Sequence, residues 1–308
     1  MTSGRRWDVL GVGDADIDIY LGVGHVPGRD EKVLGTLLGE FPGGVVANFC
    51  CAASNAGACV GLASLVGDDA YGRQALAALA NAGIDTSLVV VKPDGRTYFC
   101  VVLLDDSGEK ALTVVATDCI SPHREHLDPD TFGKARLIHL MAHDMALTTW
   151  VTREAKARGT LISLDIEPTT VGSPAEMAAL MASVDLAFPN AAGMQRLFPG
   201  DLQEGAHALL AMGPSVVVVT LGAGGCLIAS ESETIRLPGI KVNVVDTTGA
   251  GDCFNGTFVA GYLQGWPLER CARVANAAAA LSVTGLGSRG ALASLADVER
   301  FLAERAAA

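Results

Sequence analysis

The sequence predicts an α/β protein with a mostly parallel central sheet, helices on both faces, and a small β-sheet lid outside that layer. Three observations carry this. Short runs rich in Val, Ile and Leu alternate with helical patterns over most of the 308 residues. Strands buried on both faces read as near-continuous apolar runs, the pattern of a parallel sheet. Two segments, 14–42 and 92–118, hold strand-like pieces with no helix behind them.

The elements follow in chain order. "WDVLGVG" reads as a strand and "VVANFCCAASNAGA" as a buried helix. "CVGLASLVG" is a strand, and "AYGRQALAALANAG" a helix closed by Gly83. "RTYFCVVLL" and "ALTVVAT" are lid strands joined by a turn at "DDSGE". "ARLIHLM", "TLISLDI", "VDLAFPN" and "SVVVVTLG" are core strands, with helices at "TTWVTREAKARG" and "PAEMAALMAS". Two long helices are expected near 250–264 and 268–284. There is no repeat, low-complexity tract or linker. The core therefore takes 1–13, 43–91 and 119–308, and the lid takes 14–42 and 92–118.

Composition narrows the function classes. Half of the residues are apolar and 18% are charged, enough for a large core. The net charge is −12, which argues against a nucleic-acid surface. The uncharged stretch between Glu40 and Asp68 holds Pro42, Gly43, Gly44, Asn48, Ser54 and Asn55, so a buried helix and strand fit it better than a membrane span. The first twenty residues carry Asp8, Asp14 and Asp16 in place of an apolar leader core. Eight cysteines show no C-x-x-C spacing, and reduced thiols in a cytoplasmic protein are expected.

The stretch "NVVDTTGAGDCFNGTFVAGYL" carries the chemistry. It is a short apolar run, a glycine-rich turn, and then a helix with an acid in its first turn. Gly249, Ala250 and Gly251 let backbone amides converge on an anion at a helix N-terminus. Asp252 would complement the helix dipole in any case, as an ordinary first-turn acid does. Two glycines beside two threonines and that acid point further, to phosphoryl transfer. The amides take the charge that grows on the transferred group, and the carboxylate accepts the proton of an attacking hydroxyl.

This stretch resembles the second signature of the PfkB, or ribokinase-like, carbohydrate kinase family. The resemblance implies a three-layer αβα sandwich with a β lid, Asp252 as catalytic base, and the Gly249–Gly251 amides as anion hole. "GVGDADIDIY" resembles the first strand and substrate turn, with Asp16 as the acid that holds acceptor hydroxyls and Asp14 where ribokinases carry Asn. "FPGGVVANF" resembles the first signature, with Gly43, Gly44 and Asn48 as sugar contacts; Val45 and Val46 stand where ribokinases carry Lys and Gly. "VVVVTLGAGGCLI" resembles the nucleotide-phosphate loop, with Thr220, Gly222 and Gly225 in place. "AFPNAAGMQRL" resembles the Asn-x-x-Glu motif that orders magnesium; Asn190 is present, but Gly193 replaces the Glu. Asn276 stands on the adenine side. Asp246 and the backbones of Thr248, Ser282, Gly285 and Gly287 occupy the positions that surround a monovalent cation, which implies potassium.

The resemblance implies transfer of the γ-phosphoryl group of ATP, with Mg2+, to a hydroxymethyl group of a sugar or sugar derivative. Modified or anionic hexuloses are among the acceptors, with Arg96 or Arg289 to meet an anion. Tyr98 in the lid is a candidate for acceptor contact, and Tyr98 and Phe99 are the candidates for the slot that a nucleoside base would need. Two alternatives stay open: a nucleoside kinase of the same family, and a silent sugar- or nucleotide-binding sensor. Lid strands of this family pair between subunits, so a homodimer is expected; nucleic acid and membrane are not. Among weaker features, His139, His143 and Asp144 fit strand-end polar residues better than a metal triad. No Walker A motif is present.

Overall fold

The computed structural model describes residues 4–105, 110–170, 172 and 174–306. Its first half holds β1 (Trp7–Val12), β2 (Asp16–Val23), β3 (Gly35–Gly43), α1 (Val45–Asn55), β4 (Val60–Gly67), α2 (Ala70–Asn81), β5 (Asp85–Lys92), β6 (Phe99–Asp105) and β7 (Lys110–Val115). Next come α3 (Pro129–Phe132), β8 (Ala135–Met141), α4 (Met145–Lys156), β9 (Leu161–Ile166), α5 (Pro174–Met181), β10 (Leu186–Pro189), α6 (Ala191–Leu197) and α7 (Leu202–Leu210). The chain closes with β11 (Val216–Thr220), β12 (Cys226–Ser230), β13 (Thr234–Leu237), α8 (Ala250–Leu263), α9 (Leu268–Ser282) and α10 (Leu295–Ala306).

Nine strands form the central sheet in the order β13-β12-β11-β10-β9-β8-β1-β4-β5. Every neighbouring pair from β11 to β5 is parallel, and only β12 runs against the rest. Alternate side chains feed opposite faces. Val217 and Val219 of β11 join one core with Phe132, Trp150 and Met194. Val216 and Val218 join the other, with Phe49, Phe254 and Phe258. Helices α1 and α8 cross at Gly256, where a Cβ would sit 2.3 Å from the Phe49 carbonyl. This crossing brings the first turns of α1 and α8 to one end of the sheet.

The second sheet has four strands, β3-β2-β6-β7. Gly83 follows α2 with φ 74°, as a left-handed closing residue should. Helix α4 starts three residues before the expected segment, because Asp144 caps it by accepting from the Leu147 N–H at 2.9 Å. Strand β5, helices α6, α7 and α10, and strand β13 were not anticipated from the pattern. The expected "DDSGE" turn lies, from residue 106 to 109, outside the described residues. All eight cysteines are free, and all but Cys59 are buried. Among the described residues no helix is long and apolar enough to cross a membrane.

Candidate active site

The loop ahead of α8 ends in Gly249, whose φ is 75°. A Cβ there would lie 2.8 Å from the Ser288 side chain and carbonyl, so only glycine brings this turn against the 287–290 loop. The amides of Gly249 and Gly251 donate to no protein acceptor among the described residues, and the Ala250 N–H makes only a 3.4 Å bond to the Thr247 carbonyl. Free amides at a helix start, added to the dipole, favour an anion. These residues line a cleft of about 1450 Å³. Single-ligand pockets run roughly 300–1,000 Å³, so this one has room for two molecules.

Asp252 lines the same cleft and is 8% exposed. Its Oδ2 accepts from Asn48 Nδ2 at 2.9 Å. Asn48 is itself fixed, because its Oδ1 accepts from Ser288 Oγ at 3.1 Å and from Arg289 Nε at 2.7 Å. Burial pushes the Asp252 carboxyl well above the ordinary carboxylate range. The charge of Asp165 adds to this, the Asn48 bond opposes it, and Glu167 and Asp14 add further.

At the acceptor end, Asp14, Asp16, Asp18, Gly44, Asn48 and Tyr98 line the cleft. Asp14 is bonded from three sides within the chain. Its oxygens accept from the Val45 and Val46 amides at 2.9 and 2.8 Å, and from Tyr98 Oη at 2.6 Å. It therefore anchors the start of α1, which Gly44 (φ 95°) opens. Asp16 Oδ1 is buried without a partner, while Oδ2 accepts from Cys100 Sγ at 3.3 Å. Burial, then the charges of Asp18 and Asp14, hold Asp16 well above its usual range. Asp18 was not anticipated; burial pushes it up to about 6. Gly43 lies behind the cleft wall. A Cβ there would be 2.3 Å from Asp16 Oδ1 and 2.6 Å from Asp18 Oδ2, so it makes room for both acids.

Neither Arg96 nor Arg289 lines the cleft. Arg96 is exposed, lies 5.6 Å over the Phe99 ring, and is absent from the cleft wall. Arg289 also lies outside the wall and donates to Asn48 and to the Gly43 carbonyl. Phe99 is not in the wall and packs edge-on against Tyr71. The histidines form no triad. His139 is stacked 3.4 Å from Phe49 and bonded to Ser163, with its pKa pushed down to about 3 by burial; only His143 reaches the cleft.

At the opposite end, Asn190, Thr220, Gly222, Gly225 and Asn276 all line the cleft. A Cβ on Gly225 (φ 91°) would meet the Leu237 carbonyl at 2.0 Å. Asn276 Nδ2 donates to the Pro238 carbonyl at 3.3 Å. Ile240, Val242, Val244, Ala279 and Val283 add an apolar slot that the motifs did not reveal. Asn190 caps α6 through the Gly193 N–H at 2.7 Å. A Cβ on Gly193 would lie 2.7 Å from the Ile166 carbonyl, so the backbone leaves no easy room for a Glu there. The acids of this wall instead come from the end of β9. Burial, then the charge of Glu167, pushes Asp165 up to about 8; burial, then Asp14, raises Glu167. "DIE" after an apolar run was the signal for them.

Asp246 is enclosed by donors. Oδ1 accepts from Thr248 N–H at 2.9 Å and Thr248 Oγ1 at 2.7 Å. Oδ2 accepts from Tyr20 Oη at 2.7 Å and the Gly287 N–H at 3.0 Å. The Lys110 ammonium lies 3.6 Å from Oδ1. Burial opposes the ionised form, yet the Tyr20, Thr248 and Lys110 contacts hold this carboxyl below its ordinary range. Ser282 Oγ is turned to the Ala279 carbonyl at 2.9 Å. Gly285 and Gly287 shape the facing loop; a Cβ on Gly287 (φ 82°) would strike Phe41 at 2.9 Å. The charge of Asp246 is thus met from within the chain, by four hydrogen bonds and an ammonium.

A cleft with room for two molecules and a buried acid in its wall suits group transfer, and the family match makes the chain a kinase. The chain belongs to the pfkB family carbohydrate kinases, whose pattern it matches over residues 8–294. It is 29% identical over 297 residues to a ribokinase of Bacillus subtilis, covering 94% of this chain and 98% of that one. It is 28% identical over 300 residues to a nucleoside kinase of Methanothermobacter thermautotrophicus, covering 96% of each. A candidate ribokinase II from E. coli, solved in complex with ATP and Mg2+, superposes with a TM-score of 0.85 at 25% identity, covering 96% of this chain and 99% of that one.

Proposed function

We propose that the protein moves the γ-phosphoryl group of ATP to a hydroxymethyl oxygen of a neutral sugar. The position of Asp252 carries this reading: it lines one cleft with the buried acids Asp16 and Asp18 and with the glycine turns at Gly222, Gly225 and Gly249. A sugar hydroxyl donates to Asp16 and Asp18, which accept. Asp252, oriented by Asn48, removes the proton of the attacking hydroxyl. The amides of Gly249–Gly251 meet the charge on the transferred group. Three carboxylates at the acceptor end disfavour an anionic hexulose.

The E. coli relative supports ATP and Mg2+ as co-substrates. Asp165, Glu167 and Asn190 offer the hard oxygen atoms that magnesium prefers, and would hold it. When bound, it neutralises phosphate charge. A nucleoside acceptor is the second reading, favoured by Leu112 and Val114, exposed apolar side chains of β7 that face the cleft. Pairing of two copies through the small sheet also belongs to the proposal, supported by the exposed side chains of Leu37 and Leu38 on its edge strand β3. Release of ADP across a panel of neutral sugars, acidic sugars and nucleosides tests the reading. Turnover with a neutral sugar is expected; turnover with acidic sugars alone, or with none, overturns it.

A further inference from the structure

Two residues of the small sheet reach across to the loop that opens α8. Tyr20, on β2, is fully buried, packs edge-on against Phe41, and donates its hydroxyl to Asp246. Lys110, the first residue of β7, donates to Thr248 Oγ1 at 2.6 Å and faces Asp246 Oδ1 at 3.6 Å. The Asp246 side chain is 1% exposed and that of Lys110 30%. A buried carboxylate needs a partner charge. At this loop the chain brings its own.

We propose that Lys110 is the resident cation of the Asp246 loop: its ammonium does the work a dissolved potassium ion would do there, and it is a positioning residue for the Gly249–Gly251 amides. The covalent path is short. Thr248, which takes the ammonium, directly precedes Gly249, whose left-handed turn aims the amides. Since Lys110 rides on the small sheet, the loop receives its charge only while that sheet is docked. Movement of the sheet away from the cleft would leave Asp246 without its positive partner and the amides without a fixed aim. The catalytic part of this inference rests on the kinase reading; the electrostatic part stands without it.

The test compares wild type, Lys110→Met and Lys110→Arg, in potassium chloride and in tetramethylammonium chloride at equal ionic strength. The first readout is the melting temperature of the protein without substrates. Wild type is expected to melt at the same temperature in both salts. Lys110→Met is expected to be less stable in tetramethylammonium and to recover in potassium, because an ion that binds only the folded state stabilises it. The second readout is turnover with ATP and whichever acceptor the panel yields. Wild type should differ less than about twofold between salts; Lys110→Met should lose roughly tenfold in kcat in tetramethylammonium, with acceptor KM unchanged, and regain it in potassium. Lys110→Arg should remain indifferent to the salt. A wild type whose melting or turnover depends on potassium overturns the proposal, as does a Met variant indifferent to the salt. Should the Met variant not fold, wild type and Lys110→Arg decide by the same criterion. If no acceptor turns over, the kinase reading fails, and the melting data still judge the cation.

Discussion

Asp246, in the loop ahead of α8, and Asp252, in the first turn of that helix, stand six residues apart, and both are buried. Their surroundings are opposite. Asp246 is met by four hydrogen bonds and an ammonium, and is held below the ordinary carboxylate range. Asp252 accepts one bond, from Asn48, faces other carboxylates, and is held above that range. Burial is common to both, so burial does not assign the roles. The number and charge of the donors does. A carboxylate saturated with donors is an anchor. One left with a free oxygen and a raised pKa can take a proton.

The largest effect should come from removing the second property. Asp252→Asn keeps the Asn48 contact region and the size but accepts no proton. Turnover should fall by about two to four decades, while nucleotide affinity by titration calorimetry stays near wild type. Near-normal turnover would dissolve the distinction between the two acids.

Asp246→Asn attacks the anchor. It should lower kcat by roughly tenfold through misaimed amides and leave acceptor KM within about twofold. A rise in KM with kcat intact would place Asp246 in acceptor binding instead.

A smaller effect concerns the sheet that delivers Tyr20 and Lys110. Saturating acceptor should slow amide exchange in 16–23 and 99–105 more than in α9. Equal protection everywhere would count against closure over the acceptor.

The smallest effect tests the carboxylates around the base. Asp165 is raised from 3.8 to about 8, so the folded state resists its ionisation. Its cost is absent below the unfolded pKa and grows as pH rises toward the folded value. Asp165→Asn should therefore raise the melting temperature near pH 8 and leave it unchanged near pH 4. Equal shifts at both pH values would mean that the charge is already compensated.

What the sequence made legible was local. "DTTGAGD" and "PGG" announce themselves because Gly249 and Gly44 sit at positive φ, which turn chemistry restricts to very few residues. The parallel core was legible from uninterrupted valines such as those of β11. The lid register was only half read. Asp16, Asp18 and Tyr20 alternate on one face of β2, and period two alone could have paired Asp18 with Asp16. The bonds of Asp14 to Val45 and Val46 were out of reach of the sequence, since they form only when two distant turns meet. Lys110 lies 138 residues from Thr248, and nothing local marks that contact. Arg96 looked like a ligand by charge alone; its place on Phe99 depends on which way β6 faces.

The central claim is that Asp252, with its raised pKa, takes the acceptor's proton. The pH dependence of kcat/KM tests it most directly, from about pH 5 to 9 with ATP saturating. The account predicts an acidic limb with a slope of one, whose midpoint lies clearly above the ordinary carboxylate range, because the base must first lose its proton. A rate flat across that range would contradict it, and so would an unchanged limb in Asp252→Asn.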